Sequence, residues 1–351
     1  MSQPSPERAP SRKRRDAAPS IRDVAAAAGV SYQTVSRVLN DSPRVRPVTR
    51  HQVMDAIERL GYRPNRAARA LGFGRARAVT VVTSNTTLYG YAATLQGIEE
   101  AAREEGLAVG VQVIESARSG DIRQAVEHVS DPSVGGVVVI AFDAAGMELL
   151  RRLPGDVPAV AAVEPGALAE AGRTTICLDE QQASADATRH LLSLGHRTVH
   201  HVAIPSEAGT RGREAGWRRA LLEAEAPVPE IVAAGWDARS AYEAGCALAA
   251  DDAVTAILCG NDDTAMAVRR ALYDAGRDVP ADVSLVGFDD VPGSAYWIPA
   301  LTTIRMDFAG WGRACLAALA AELDGRPRPE IALTAPNLVV RESTAPPRTA
   351  R

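Results

Sequence analysis

Three short segments near the N-terminus carry apolar residues at helical spacing. Ser20 precedes the first segment, Asp23 stands at the reciprocal position of a capping box, and Gly29 ends the helix. Ser31 begins a second helix, and a third helix is predicted from about residue 48 to residue 60. Two short helices joined by a glycine turn predict a helix-turn-helix unit.

From residue 79 onward, short apolar runs alternate with alanine-rich helical patterns. Strands are predicted at 79–83, 109–114, 137–140, 159–163, 175–178, 201–204, 231–233, 256–259 and 283–287. A helix is predicted over 95–105, where Gly106 ends it. This alternation is typical of parallel sheets covered by helices, and the chain is long enough for two such α/β lobes.

The two parts of the chain carry opposite charge. Residues 1–78 contain 16 Arg or Lys and 6 Asp or Glu, so the 39 basic and 43 acidic residues of the whole chain leave 23 and 37 for the remainder. The first part can therefore neutralise phosphates, whereas the rest repels DNA. This asymmetry indicates a nucleic-acid reader joined to an acidic domain. Residues 1–19, rich in Pro, Ser and Arg, are expected to be a disordered basic tail.

The chain lacks the sequence motifs that are typical of several classes of protein. The four cysteines lie far apart with no CxxC pair, which argues against a zinc site or a disulfide framework. Lys13 is the single lysine, so the body of the chain has no P-loop and no Schiff-base lysine. No GxGxxG follows the first strand, and no GxSxG elbow occurs. No signal peptide or membrane span is expected. The sequence predicts a cytoplasmic protein that is not an enzyme and uses no metal or cofactor.

The second helix places polar side chains opposite its apolar face. Tyr32, Gln33, Ser36 and Arg37 lie on that side near the helix start, where a recognition helix meets base edges. Gln can bond adenine, and Arg can bond guanine, through paired hydrogen bonds. The alternative is a solvated surface helix. The capped helix before it, the glycine turn and the positive charge favour DNA recognition.

A second segment that indicates DNA binding comprises residues 63–71, Arg-Pro-Asn-Arg-Ala-Ala-Arg-Ala-Leu. A helix of about seven residues is marginal in water. This segment is therefore expected to be loose alone and ordered when two copies pack in a minor groove. Leu71 would then act as an apolar wedge between base steps. The alternative is an ordinary interdomain linker.

These two stretches together resemble the LacI/GalR family of ligand-responsive bacterial repressors, with a headpiece of the lactose-repressor type. The resemblance extends over roughly residues 20–340 and includes Asn261-Asp262, Gly287-Phe288-Asp289-Asp290 and the run from Ile298 to Ile304. It implies an all-α headpiece followed by a periplasmic-binding-protein-like α/β domain with parallel sheets.

The resemblance also implies the division of the chain. A helix-turn-helix domain would occupy residues 20–63, a hinge helix and linker 64–76, and an effector-binding and dimerisation domain 77–345. One lobe would comprise about 77–176 with 308–330, and the other 177–304 with 331–345. The C-terminal part shows no leucine heptads, so a two-fold homodimer on a pseudopalindromic operator is expected.

By the same resemblance, a set of headpiece and hinge residues would contact double-stranded operator DNA, some reading bases and others holding the backbone. The set is Ser20, Ile21, Ser31, Tyr32, Gln33, Thr34, Ser36, Arg37, Asn40, Arg44, Thr49, Asn65, Arg66, Ala68 and Leu71.

Four residues stand at or just beyond strand ends in the second predicted lobe, where parallel sheets bind ligands. Arg213 begins a helix after one strand, Asn261 and Asp289 follow two others, and Trp236 follows a fourth. A guanidinium, an amide, a carboxylate and an indole suit a polyol. From spacing alone, a cleft-closing salt bridge between Arg213 and Asp289 and a core position for Trp236 are equally good interpretations.

The family resemblance favours effector contact for these four residues and adds Ser84, Leu88 and Phe308 from the other lobe. The chain departs from the lactose-repressor pattern at Ala141 and at Val163 beside Glu164, so a copy of the galactoside site is not expected.

The effector is therefore predicted to be a small sugar that releases a repressor from DNA. The alternative is a regulator that needs a purine or another metabolite as corepressor. A sugar-binding transport receptor would share the two lobes, but it would carry a signal peptide and no cationic headpiece.

Overall fold

The computed structural model describes residues 19–39, 42, 44–62, 78–131, 134–165, 173–206 and 212–348. The chain forms two compact units, residues 1–75 and residues 76–351. The first is helical in its described part and the second is α/β, as predicted.

The first unit contains α1 (Ile21–Ala28), α2 (Tyr32–Leu39) and α3 (Pro47–Leu60). The predicted capping box is present, because the Ser20 N–H donates to Asp23 at 2.8 Å and the Asp23 N–H donates to the Ser20 hydroxyl at 3.4 Å. Gly29 ends α1 at a φ of 65°, a left-handed conformation that glycine adopts without a Cβ clash.

The core of this unit is small. The buried residues from the three helices are Val24, Ala25, Val35, Val38, Val53 and Ala56. Because these side chains occupy one face of each helix, the opposite face of α2 is left to solvent.

The second unit begins with a parallel sheet in the order β2-β1-β3-β4-β5. Its strands are β1 (Ala78–Thr83), β2 (Ala108–Val113), β3 (Gly136–Ala141), β4 (Ala159–Val163) and β5 (Thr174–Ile176). The helices of this lobe are α4 (Tyr89–Glu104), α5 (Ser119–Val129) and α6 (Ala144–Arg152). The strands β3 and β4 are buried along their whole length, which explains their continuous apolar runs.

The second lobe contains a sheet in the order β11-β10-β9-β8-β6-β7, parallel except for β11. Its strands are β6 (His200–Ala203), β7 (Val232–Ala233), β8 (Ala256–Cys259), β9 (Ser284–Asp289), β10 (Thr302–Arg305) and β11 (Asn337–Val339). The remaining helices are α7 (Glu180–Ser193), α8 (Arg213–Glu223), α9 (Ala238–Ala249), α10 (Asp262–Asp274) and α11 (Phe308–Leu323).

Helix α11 returns to the first lobe and packs closely on α4. A Cβ atom at Gly97 would lie 2.0 Å from the carbonyl oxygen of Ala309, and one at Gly312 would lie 2.1 Å from that of Thr94. Only glycine permits this approach of the two helices. This packing fixes the N-terminal end of α11, whose first residue is Phe308.

Helix α4 begins at Tyr89, six residues before its predicted start. Its first turn, Tyr89-Gly90-Tyr91, contains residues of low helix propensity, which hid the start in the sequence. In the turn before the helix, the Asn85 side-chain oxygen accepts the backbone N–H groups of Thr87 and Leu88 at 2.7 and 2.8 Å. The shift matters because it brings both tyrosines to the carboxyl end of β1.

The chain passes between the two lobes at residues 176–180, 305–308 and 323–337. The Trp311 indole donates to the Ile176 carbonyl at 2.9 Å, which joins the first two crossings. The Asp307 carboxylate caps α11 and accepts the Thr334 hydroxyl at 3.1 Å, which joins the second and third. The crossings thus hold the carboxyl ends of both sheets around one cleft. No helix in the described part of the chain is long and apolar enough to span a bilayer.

Candidate nucleic-acid interface and ligand cleft

Helix α2 exposes the polar side chains that the sequence assigned to base reading. Tyr32 is 56% exposed, and Gln33 and Arg37 are also exposed, while Val35 and Val38 on the other face are buried. The exposed side chains can therefore meet a partner without any repacking of the three-helix core.

The start of α2 is fixed by a local cap. The Ser31 hydroxyl accepts the Thr34 backbone N–H at 3.2 Å and shares a hydrogen bond with the Thr34 hydroxyl at 3.0 Å. Ser36 is half-buried. These three residues are better placed to position the helix than to extend beyond it.

The other predicted contacts divide into two groups. Ser20 is committed to the capping box, Ile21 packs against the small core, Arg44 is exposed and Thr49 is half-buried in the first turn of α3. Asn40, Asn65, Arg66, Ala68 and Leu71, with the predicted hinge and the N-terminal tail up to residue 18, lie outside the described residues.

In the second unit, a narrow cavity of about 30 Å³ lies between the lobes at the carboxyl ends of the strands. Six of the seven predicted effector residues line it, namely Leu88, Arg213, Trp236, Asn261, Asp289 and Phe308. The spacing of the predicted strands had placed Arg213, Trp236, Asn261 and Asp289 at or just beyond strand ends, and the family resemblance had added Leu88 and Phe308.

Ser84 does not line the cavity. Its hydroxyl donates to Asp143, and the same carboxylate oxygen accepts the Tyr91 hydroxyl at 3.1 Å. The other oxygen of Asp143 caps α6 by accepting the Gly146 N–H at 2.9 Å. Ser84 therefore stands behind Tyr91 and helps to fix that ring, which does line the cavity.

Arg213 is held in place by a partner that sequence reasoning missed. Its Nε and Nη2 donate to the two carboxylate oxygens of Glu180 at 3.2 and 3.0 Å, and Nη1 donates to the Gly260 carbonyl. The guanidinium also lies 4.1 Å from the centre of the Phe288 ring. Burial opposes its charge, but Glu180 and Asp289 more than offset this and raise the pKa of Arg213.

The predicted Arg213–Asp289 salt bridge is the weaker of the two ion pairs. Its nitrogen and oxygen are 3.8 Å apart, beyond hydrogen-bond range, whereas the Glu180 pair is bidentate. Arg213 prefers Glu180, at the end of the first crossing, because it can donate two hydrogen bonds to that carboxylate. Glu180 reaches Arg213 because α7 and α8 pack side by side.

Asp289 presents an unused acceptor to the cleft. Its side chain is buried, with 8% of the residue exposed, and its Oδ1 has no hydrogen-bond partner. Burial raises the pKa of this carboxyl well above its usual value, and Arg213 opposes that shift. Its backbone φ of 109° lies where L-residues are strained. A buried orphan oxygen on a strained backbone is the arrangement expected of a ligand-binding group.

Asn261 and Trp236 complete the side of the cleft formed by the second lobe. The Asn261 side-chain oxygen caps α10 by accepting the Thr264 N–H at 2.8 Å, so the amide offers a ligand its NH₂ donors. The Trp236 ring is half-buried and stands 6.5 Å from the Tyr91 ring of the first lobe. Trp236 is thus a cleft residue and not part of the buried core.

Glu164 closes the cleft from the first lobe. It directly follows β4, and it accepts the Ser206 hydroxyl of the second lobe at 2.7 Å. The sequence had flagged this position only as a departure from the lactose-repressor pattern. Its place directly after a strand was the signal that could have identified it, as it could for Phe142 after β3.

A second surface of this unit is apolar and exposed. Tyr296 and Ile298 are each 85% exposed, and Met266 and Tyr273 on α10 are 49% and 73% exposed. Together with Trp297 they line a shallow depression. A contiguous exposed patch of this kind is typical of a protein–protein interface.

No set of three or more His, Cys, Asp or Glu side chains within the described ranges is arranged to hold a metal ion. The cysteines Cys177 and Cys246 are exposed, and Cys259 and Cys315 are buried.

Two family descriptions match the chain. Bacterial regulatory proteins, lacI family, matches residues 20–65, and the periplasmic binding protein-like domain matches residues 188–344. The chain is 31% identical over 334 residues to the lactose operon repressor of Escherichia coli (strain K12), with 93% of this chain and 91% of that protein covered.

Solved structures agree. The Lac repressor dimer bound to operator and the anti-inducer ONPF matches with a TM-score of 0.82 and 29% identity, covering 93% of this chain and 99% of that one. A complex of the transcriptional regulator CelR with cellobiose matches with a TM-score of 0.68 and 29% identity, again covering 93% and 99%. These likenesses confirm the predicted fold class.

Proposed function

Because the chain belongs to the lacI family of bacterial regulatory proteins, we propose that it is a homodimeric repressor that a small sugar releases from a two-fold operator. The chain is a DNA-binding transcriptional regulator, and the relatives described above are regulators and not enzymes. The site of action is the cytoplasm, where operator DNA is found.

The observation that carries the effector assignment is the buried acceptor of Asp289 beside Arg213. Sugar hydroxyls donate and accept hydrogen bonds, so they can satisfy the orphan Oδ1, the remaining N–H groups of Arg213 and the NH₂ of Asn261. Trp236, 6.5 Å from Tyr91, offers a flat face for the C–H side of a sugar ring. The CelR–cellobiose structure is a family precedent for a sugar in this fold.

The exposed face of α2 is proposed to read the major groove. Gln33 and Arg37 would contact base edges, and Tyr32 would add a ring and a hydroxyl. Ser31 and Thr34 fix the start of the helix, so that the three exposed side chains enter the groove in a set orientation. Phosphate contacts from Arg44 and from the basic residues nearby would supply affinity and salt dependence.

The apolar patch around Tyr296 and Ile298 is proposed as the surface where a second copy packs. A homodimer presents two headpieces related by a two-fold axis, which is what a pseudopalindromic operator requires. The Lac repressor dimer bound to operator supports this assembly.

Coupling between the two sites is proposed to run through the lobes. A ligand that bridges Leu88 and Phe308 on one lobe with Arg213 and Asp289 on the other favours the closed arrangement of the cleft. Closure would change the contact between the two copies and separate their hinge segments at 64–76. Such a switch needs only a few kcal/mol of differential affinity between two states.

Selection of duplexes from a random DNA pool, followed by elution with sugars and nucleobases, tests this function. A two-fold symmetric site released by a small sugar is the expected result. Binding that strengthens when a purine is added would establish the corepressor alternative instead. Failure of the folded homodimer to enrich any site, with or without these compounds, would contradict the operator assignment.

A further inference from the structure

Next to the cleft residue Asn261 lies a carboxyl group that does not itself line the cavity. Asp262 is the first residue of α10, and it has no exposed surface. Its Oδ1 accepts the Thr303 hydroxyl at 2.5 Å, and its Oδ2 accepts the Val291 backbone N–H at 2.8 Å. Burying a carboxyl group opposes folding unless hydrogen bonds compensate for the lost water. These two bonds therefore tie Asp262 to the segments that carry Thr303 and Val291.

The Val291 N–H belongs to the turn that follows β9 and carries Asp289. Asp289 and Asp290 have backbone φ values of 109° and 57°, so two consecutive residues other than glycine adopt conformations that L-residues disfavour. Such strain persists only where the surrounding structure imposes it. The turn 289–291 therefore depends on contacts from other segments to keep its shape.

Asp262 supplies such contacts on both sides of Asp289. After Asp289, the Asp262 Oδ2 holds the Val291 N–H. Before it, the Asp262 Oδ1 lies only 2.1 Å from the position that a Cβ atom at Gly287 would occupy. Glycine alone lets β9 approach the carboxyl group so closely. Asp289 is thus enclosed between two backbone positions that lie against the same side chain.

Other contacts hold the turn but leave the Asp289 carboxyl group free to meet a ligand. The Asp290 side chain accepts hydrogen bonds from Arg341 at 2.5 Å and from Arg305 at 2.7 Å, and the Asp289 carbonyl accepts the Met306 N–H at 3.4 Å. The Oδ1 of Asp289 lines the cavity side and has no hydrogen-bond partner. The direction of this carboxyl group therefore follows from the backbone of the turn.

We propose that Asp262 is a positioning residue for effector binding, and that its carboxyl group holds the turn 289–291 so that the Asp289 carboxyl group faces the cleft. The proposal rests on the proposed function of the cleft, because it takes Asp289 as a group that binds the effector. Asp262 touches no ligand, and its influence on effector affinity passes through the turn. An acceptor that is already held in place costs the ligand less ordering when it binds.

Crystal structures of variants of the full chain test the hold on the turn without any ligand. In Asp262→Ala the Val291 N–H loses its acceptor, and Asp289 is expected to leave its φ of 109° and to turn its carboxyl group away from the cleft. Asp262→Ser, whose side chain is too short to reach either partner, replaces it if the alanine variant does not fold. A turn unchanged in the variant that folds would overturn the proposal.

Asp262→Asn is the conservative variant. Its amide oxygen can still accept the Val291 N–H, and its NH₂ can donate to the Thr303 hydroxyl oxygen. The turn and the position of the Asp289 carboxyl group are therefore expected to be retained.

Isothermal titration calorimetry measures the consequence for binding. The probes are galactose, ribose, lactose and cellobiose, and the one that binds the unsubstituted chain most tightly is titrated into every variant. Asp262→Ala, or Asp262→Ser in its place, should raise the Kd about tenfold or more, because an acceptor of the ligand is displaced. Asp262→Asn should keep the Kd within about threefold of the unsubstituted value.

Leu272→Ala is the matched control for a loss of stability. Leu272 lies on the same helix, is fully buried in the core of the second lobe, and stands about 15 Å further along the helix axis. Its truncation leaves a cavity in the core and lowers the stability of the fold, but it does not touch the turn. The Kd of the probe should therefore stay within about threefold.

The outcomes separate two failures. A probe that binds the unsubstituted chain and Asp262→Ala equally well would overturn the proposal and leave the sugar-responsive function standing. A loss in Asp262→Asn or in Leu272→Ala as large as that in Asp262→Ala would also overturn it, because the effect would then not depend on the hold on the turn. Binding of none of the four sugars to the unsubstituted chain would count against the sugar effector, and the crystal structures would still decide whether Asp262 holds the turn.

Discussion

Replacing Arg213 with Ala is expected to destabilise the second unit and not only to abolish its response to effector. The side chains of Arg213 and Glu180 retain 14% and 3% of their exposure, and their closest atoms are 3.0 Å apart. Removing the guanidinium leaves Glu180 as a buried charge without its bidentate partner. Breaking such a pair costs about 3–5 kcal/mol, a large share of the roughly 5–15 kcal/mol that stabilises an ordinary domain.

Urea unfolding followed by circular dichroism measures this loss, at one protomer concentration and without effector. The control is Arg103→Ala, which breaks an exposed pair with Glu99 whose atoms are 3.8 Å apart and whose side chains are 69% and 53% exposed. That change should cost no more than about 0.5 kcal/mol. The double variant Arg213→Met/Glu180→Leu should regain most of the lost stability, because Glu180 no longer remains as a buried charge without its partner.

Two results would refute this reasoning about the ion pair. One is a loss below about 1 kcal/mol for Arg213→Ala, which would place the pair among ordinary surface bridges. The other is a double variant that is no more stable than the single one. The prediction also shows that Arg213→Ala is a poor probe of effector contact, since lost folding and lost binding would appear together.

Three further predictions concern other parts of the chain. Burial raises the pKa of the Asp262 carboxyl from 3.8 to about 7, so the folded state holds this proton more tightly than the unfolded state does. This contribution to stability is present below about pH 4 and lost as the pH rises through 7. Asp262→Asn should therefore flatten the pH dependence of the free energy of unfolding between about pH 4 and 7, by up to about 4 kcal/mol. An unaltered pH slope in the variant would count against the raised pKa of Asp262. Ile298→Asp, at a position 85% exposed, should leave the protomer folded but shift the mass seen by sedimentation from dimer to monomer, and a stable dimer would remove this patch from the interface. Gln33→Ala should weaken operator binding by about 1–3 kcal/mol and relax base preference at one position per half-site, whereas a uniform loss at every position would indicate a phosphate contact instead.

Local rules anticipated much of the fold. The capping box of Ser20 and Asp23 and the left-handed Gly29 depend on residues close together in the chain, so the sequence reveals them directly. The rule that ligands gather at strand ends pointed to Asn261, two residues beyond β8, and to Asp289, the last residue of β9, for the same reason.

The pairing of Arg213 with Glu180 could not be predicted from residues that are close together in the chain. Glu180 lies 33 residues away, on a crossing segment, and it meets Arg213 only because α7 packs against α8. Similarly, the Ser84 hydroxyl turns to Asp143, 59 residues on, and not to the cleft. Pairings of this kind depend on tertiary packing, which periodicity and spacing do not encode.

The central claim is that a ligand in the cleft controls DNA binding, and fluorescence anisotropy of a selected operator duplex tests it most directly. Asp289→Asn keeps the size of the side chain, removes its charge and lies outside the first unit. We expect this variant to bind the operator with the affinity of the unsubstituted chain, and the eluting compound to release it only at concentrations at least about tenfold higher. Release of both proteins at the same concentration would contradict the account.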